Sequence, residues 1–225
     1  MKIVTYASLL ALSLAVGATA ASAQDKKADS KYDMSKVQAY AESVAKDVVS
    51  DADILAAIKK STAENKKLTF DEVQARDYNW QLVRANEKSD DEAKAKQKKI
   101  IGKLAGIDDK SPEEHAKEGE KEIKEIRGSA TSKALQEVMK KAPNGAVTEI
   151  FVMDGWGWNV GQTGGTSDFY QGDEAKWQKP FTGKVDVSDP EEDDGAMVSQ
   201  VSMPIKDGGK IVGAVTVGVN VDKVK

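Results

Sequence analysis

The chain changes texture once, at Ala142-Pro143-Asn144-Gly145, and that boundary restricts the folds open to it. Ahead of it the signals are helical from Ser35 onward. Behind it come short runs rich in β-branched residues, "AVTEIFVM", "WNVGQ", "KVDV", "MVSQVSMPI" and "KIVGAVTVGVNV", separated by turn residues. No gap between the runs accommodates a helix of more than about ten residues, whereas a parallel crossover needs a dozen or more. The pattern predicts an α+β fold, with N-terminal helices on one face of an antiparallel sheet. Asp207 to Gly209 reads as the hairpin joining the last two runs, and "DPEEDDG" (Asp189 to Gly195) as the connection before them.

The last run shows how the sheet is used. Ile211, Val215, Val217, Val219 and Val221 point one way with Gly213 among them, while Val212, Ala214, Thr216, Gly218 and Asn220 point the other. The first set suits packing on the first helix, whose stripe is Val37, Tyr40, Val44 and Val48. The second set is small and polar, and a sheet face with room is a candidate pocket wall.

Ser35 with Gln38, Thr69 with Glu72, Ser89 with Glu92 and Ser111 with Glu114 all have capping-box spacing, the last followed by Pro112 at the first helical position. "SDAD" (Ser50 to Asp53) predicts a break after the first helix. The stretch near 83–127 is heavily charged and reads as solvated helices with a thin apolar stripe through Ile100, Leu104, Ile123 and Ile126. Its lysines Lys94, Lys96, Lys98 and Lys99 read as a solvated face.

Composition removes several function classes. There is no cysteine, and with a single histidine, His115, no zinc site or Cys-His or Ser-His-Asp arrangement is expected. His115 reads as a surface residue. In "DPEEDDG" the sixth position from Asp189 is Asp194, where a calcium loop of the EF-hand type needs glycine, so neither metal nor cofactor is expected. The glycines Gly155, Gly157 and Gly161 match no phosphate-binding fingerprint. A net charge of −4 with interspersed signs gives no case for nucleic acid. Residues 1–23, with Lys2, an apolar run and Ala21-Ser22-Ala23, read as a cleaved signal peptide, and 24–33 as a flexible leader. The expected product is periplasmic, not membrane-integral after cleavage, and not an enzyme.

The stretch "TSDFYQGDEAKWQKPF" remains. Tyr170, Gln171 and Trp177 combine aromatic surface with hydrogen-bonding tips, which suits a buried, partly polar ligand. Trp177 and Tyr170 read equally as hydrophobic plugs, Phe181 reads as one, and Asp173 also fits a helix cap.

"EIFVMDGWGWNVGQTGGTSDFYQGDEAKWQKPF", followed by "QVSMPI" and "IVGAVTVGVNV", resembles the stand-alone, exported single-Cache proteins, whose PAS-like sensor fold is also called PDC. Upstream, "AAIKKSTAENKKLTFDEVQARDYNW" is similar to that group's helical segment with its D-x-x-W ending, here Asp77 and Trp80. The resemblance covers about 50–80 and 130–222. It implies a long N-terminal helix on an antiparallel, five-stranded Cache-like sheet, with a ligand pocket between the other sheet face and the loop after the second strand. It implies ligand contacts at Tyr170, Gln171, Asp173 and Trp177, joined by Asp168 and Trp80, with Gln200, Ser202 and Thr216 facing the cavity from the sheet. The implied ligand is a small carboxylate, amino acid or amine, and the implied partner a membrane-bound receptor or histidine kinase. On this reading 34–225 form one sensor domain with a charged helical insert near 83–127. The alternative is a periplasmic interaction module with a filled pocket, binding through that insert and the Trp156/Trp158 pair.

Overall fold

The computed structural model describes residues 31–193 and 195–224. The expected signal peptide and residues 24–30 of the leader lie outside the described residues. Tyr32 and Asp33 already engage the fold: the Tyr32 hydroxyl donates to Asp222 Oδ1 (3.0 Å) and Asp33 caps the first helix.

Among the described residues six α-helices precede the sheet: α1 (Met34–Val49), α2 (Ala52–Asn65), α3 (Phe70–Asn86), α4 (Asp91–Leu104), α5 (Pro112–Gly128) and α6 (Ala130–Lys141). The boxes at Thr69/Glu72 and Ser111/Glu114 form as expected, with Pro112 at the start of α5. The other two starts shift. Asp33 rather than Ser35 caps α1, accepting from the Ser35 and Lys36 amides, and Asp90 rather than Ser89 caps α4. In both, a carboxylate beside the serine accepts the orphan amide more strongly than a hydroxyl would. Asp51 caps α2, which makes "SDAD" the predicted break.

The strands are β1 (Val147–Met153), β2 (Asn159–Gln162), β3 (Asp186–Val187), β4 (Glu191–Asp193), β5 (Ala196–Asp207) and β6 (Lys210–Asn220), with one helix, α7 (Ala175–Phe181), between β2 and β3. Their order is β2-β1-β6-β5-β3, all antiparallel, and β4 pairs with β5 as well. The acidic stretch thus supplies a short exposed strand of its own. Gly208 and Gly209 take positive φ in the predicted hairpin.

Side-chain alternation divides the sheet. Ile150, Val152, Val201, Met203, Val215, Val217 and Val219 form one core with Val37, Ala41, Val44 and Val48 of α1, Ile54 and Ile58 of α2 and Leu135 of α6. Each such burial stabilises by roughly 1.5–3 kcal/mol, so this face anchors the fold. On the opposite face Phe151, Met153 and Ala214 pack against Trp177 of α7.

The charged stretch folds onto α3. Leu82, Ala85, Ile100 and Leu104 make a second core, bordered by Tyr78, Ile101 and Ala116. His115 belongs to this packing, not to the surface: it is 1% exposed, and Nδ1 lies 2.8 Å from Asn79 Oδ1. Its Nε2 sits 3.2 Å from Asp108 Oδ1, off the line of a good hydrogen bond.

Gly119 sets the distance between α3 and α5. A Cβ there would fall 2.3 Å from the Asn79 carbonyl oxygen and 2.9 Å from Val83 Cγ2. Alanine gains about 1 kcal/mol of helix propensity over glycine, but overpacking against backbone costs about 1–3 kcal/mol. Gly119→Ala is therefore expected to lower stability in urea melts, and a gain equal to the propensity difference would refute the close crossing.

Candidate ligand cleft

The turn between β1 and β2 is built around one acid. Asp154 is fully buried; its Oδ1 accepts from the Trp156 and Trp158 amides (2.8 and 3.0 Å) and its Oδ2 from Ser61 Oγ and Asn65 Nδ2 (2.7 and 2.9 Å). Burial pushes its carboxyl up, against the pull of those donors. Gly157 has φ +92°, and a Cβ there would lie 2.4 Å from Gly172 Cα, so the turn presses on the following loop.

The paired tryptophans form no exposed contact surface. Trp156 donates its indole N–H to the Thr62 carbonyl (3.0 Å), tying the turn to α2. Trp158 is 1% exposed and packs on Phe169 and Tyr170 at 4.8 and 5.2 Å, with the Arg76 guanidinium 5.0 Å from its ring. Arg76 also donates through Nε to Glu122 of α5 (2.9 Å).

The loop after β2 is gripped from the helices. Asp77 Oδ1 accepts the Phe169 and Tyr170 amides (3.1 and 2.9 Å), and Trp80 Nε1 donates to the Thr166 carbonyl (2.9 Å) while stacking on Phe169 at 5.2 Å. Three residues apart, Asp77 and Trp80 share one face of α3. Arg84 reaches the Gly165 carbonyl (3.3 Å) and Arg127 the Gly164 carbonyl (3.1 Å).

Asp77 gives this grip a pH dependence. Burial raises its carboxyl from 3.8 to about 7, opposed by the Tyr170 and Phe169 amides and by Gln81, with the charge of Asp168 adding to the rise. Between those values the folded state binds the extra proton, so Asp77 contributes stability below pH 3.8 that is lost as pH rises through about 7. Glu122, Glu149 and Asp154 are raised by burial in the same direction. Asp77→Asn should therefore flatten, without abolishing, the fall in Tm between pH 4.5 and 8. Parallel Tm profiles for the two proteins would show that Asp77 does not titrate in this way.

The residues singled out in the sequence do not converge on one cavity. Gln171 is fully buried and donates to the Asp168 carbonyl (2.7 Å), while its Oε1 has no donor among the described residues. Tyr170 lies on Trp158, and Asp173 is exposed. Asp168 turns its carboxylate to Ser167 Oγ (2.5 Å). Trp177 fills the sheet face over Met153 and Ala214, stacks on Phe181 at 4.3 Å and donates to the Asp154 carbonyl (3.0 Å). Ser202 and Thr216 are buried and pair with each other (2.8 Å). The space beneath the loop is thus occupied by protein.

A cleft of about 450 Å³ opens farther along the same face. Its floor is Glu149 and Phe151 of β1 and Gln200 of β5. Lys176 of α7 and Gly165 to Ser167 stand at its sides, and the α3–α4 junction, from Arg84 to Lys96, supplies the outer wall. Of the expected contacts, Gln200 alone borders it, donating to Glu149 Oε1 (2.7 Å). Burial raises the Glu149 carboxyl, moderated by that amide and by the charge of Lys176. Glu149, Phe151, Lys176 and Arg84 were missed by sequence reasoning. Alternation in "EIFVM" carried a signal, since it puts Glu149 and Phe151 on one side; the wall from α3 and α4 had none.

A wider depression of about 730 Å³ lies between α1 and the C-terminal turn. Its Tyr40 hydroxyl and Lys223 ammonium already serve the Pro143 and Gly145 carbonyls, so the smaller cleft is the better candidate.

No family model and no curated protein matches the chain. Solved structures similar to it include three bacterial sensory or ligand-binding domains. The Escherichia coli DcuS sensor domain is 18% identical with TM-score 0.35, over 47% of this chain and 78% of that one. The likeness is to sensor domains. The ligand-binding domain of the Pseudomonas aeruginosa amino-acid chemoreceptor PctC, in complex with GABA, is 10% identical with TM-score 0.34, over 65% of this chain and 57% of that one. The sensory domain of the Campylobacter jejuni chemoreceptor Tlp3 is 11% identical with TM-score 0.34, over 81% and 64%. The chain thus spans less than two thirds of the latter two domains. Similarity at this level extends to no ligand, and the chemistry of the cleft rests on its own side chains.

Proposed function

We propose that this chain is an exported sensory protein that binds a small organic molecule in the cleft and relays its occupancy to a membrane receptor or kinase. The observation that carries the reading is the cleft itself. Its volume falls within the roughly 300–1,000 Å³ usual for ligand sites, and a half-buried carboxylate, an amide, a lysine and an aromatic ring converge in it. The Cache-like sequence motif points to the same class of function.

A route for the relay follows from how the walls are held. Gly165 to Ser167 border the cleft, and Asp77, Trp80, Arg84 and Arg127 hold this loop to α3 and α5. A ligand that favours one loop position would bias the helical bundle, by no more than its difference in affinity for the two states.

Thermal unfolding against a broad metabolite panel tests the proposal. A binder at 100 times its Kd should add about 2.7 kcal/mol. Ser167→Trp, which places an indole at the mouth from an exposed position, should abolish the shift without lowering stability of the free protein. A shift that persists in this variant would move the site elsewhere.

A further inference from the structure

We propose that the cleft is built for a ligand bearing a protonated amine, its ammonium paired with Glu149 above the ring of Phe151. The inference rests on the cleft being the ligand site and narrows the chemistry of what enters it. The inner charges of the cleft differ in how well they are already matched. Arg84 holds the Glu87 carboxylate and the Gly165 carbonyl through its two terminal nitrogens, and only its buried Nε lacks an acceptor among the described residues. Lys176 is ion-paired with Glu174 at 3.0 Å. Glu149 receives one neutral amide, from Gln200, and no ion pair within 4.0 Å among the described residues. It is the inner charge with most to gain from an incoming partner of opposite sign.

Its surroundings select the kind of partner. Gln200 turns its amide N–H to Glu149, which leaves its Oε1 as a second acceptor beside the carboxylate. An ammonium carries three donors and can use both. The Phe151 ring is attractive to cations, and Lys176 Nζ, 5.7 Å from its centroid, already takes part of that face, so an incoming ammonium pairs with Glu149 first and shares the ring with Lys176. A carboxylate ligand could find the Arg84 Nε, but it would meet Glu149 at the floor and would have to displace Glu174 to pair with Lys176. A divalent metal fits less well, because no group of three or more metal-ligating side chains occurs among the described residues. Glu149 also lies where burial opposes its charge, with Lys176 moderating and Asp193 adding to that effect. A cation bound there removes the conflict.

The proposal is tested by NMR titration of the full chain, which reads weak binding as well as tight. The probes are butylamine, putrescine and phenethylamine, each set against butyrate, phenylpropionate and butanol. Amines are expected to move the resonances of Glu149, Phe151 and Gln200 saturably, acids and the alcohol not. Glu149→Gln should weaken the amines at least tenfold while its melting temperature stays at or above that of the parent. If acids or butanol bind as well as amines and Glu149→Gln changes nothing, the ammonium proposal is overturned and the cleft stands as a site. If no probe perturbs the cleft and Ser167→Trp leaves all spectra unaltered, the cleft reading falls with it.

Discussion

Trp80→Ala is expected to destabilise the protein by about 3–5 kcal/mol, the range for removing a large aromatic from a packed interior. Trp80 has no exposed surface, stacks on Phe169 with an interplanar angle of 19° and donates its indole N–H to the Thr166 carbonyl. Alanine would leave a cavity between α3 and the loop and strip a partner from Thr166. Trp80→Phe keeps a stacked ring but loses the hydrogen bond and part of the buried ring volume, for about 2 kcal/mol. Urea melts of both variants give the comparison. Equal losses would mean that the hydrogen bond, not the packing, holds the loop. Binding should suffer beyond the loss of stability, because Thr166 and its neighbours border the cleft.

Asp154→Ala is expected to cost a comparable amount, about 3–5 kcal/mol, because it strands several buried donors at once. Two are backbone amides of a tight turn that water cannot easily reach, and two come from α2. The loss should appear locally as faster hydrogen exchange at Trp156 and Trp158. Asp154→Asn is the milder change: one oxygen still serves both amides, and the Ser61 hydroxyl can turn to accept. A loss of only about 1 kcal/mol is expected there. If alanine and asparagine cost the same, the charge rather than the hydrogen-bond count would govern the turn.

The helix starts show where sequence reasoning holds and where it slips. At Thr69 and Ser111 the cap and its partner glutamate lie within one turn, so the chain needs nothing from afar. At Ser35 and Ser89 the same spacing occurs, but a nearby aspartate, Asp33 or Asp90, caps the helix in a shifted register and bonds other amides. His115 shows a different limit. Amid glutamates and lysines it reads as exposed, yet Asn79, 36 residues away, supplies a partner that makes its burial tolerable.

The candidate site was legible in part. The motif around Tyr170 and Trp177 lies on the sheet face that carries the cleft, and Asp77 with Trp80 lies in the segment that bonds the loop. In the fold Trp80 donates its indole N–H to a backbone carbonyl 86 residues away, and the Asp77 carboxylate accepts two backbone amides 92 and 93 residues away. The cleft opens instead beside Glu149, where the α3–α4 junction, from Arg84 to Lys96, faces the sheet.

The sequence by itself determined the α+β division at residue 142, the two-faced sheet and its last hairpin, because side-chain period and turn chemistry act between near neighbours. Tertiary structure decided which polar side chains face open space and which are consumed in holding the fold. That choice is a competition for hydrogen-bond partners among groups far apart in the chain, and it is resolved only when packing brings them within about 3 Å of one another.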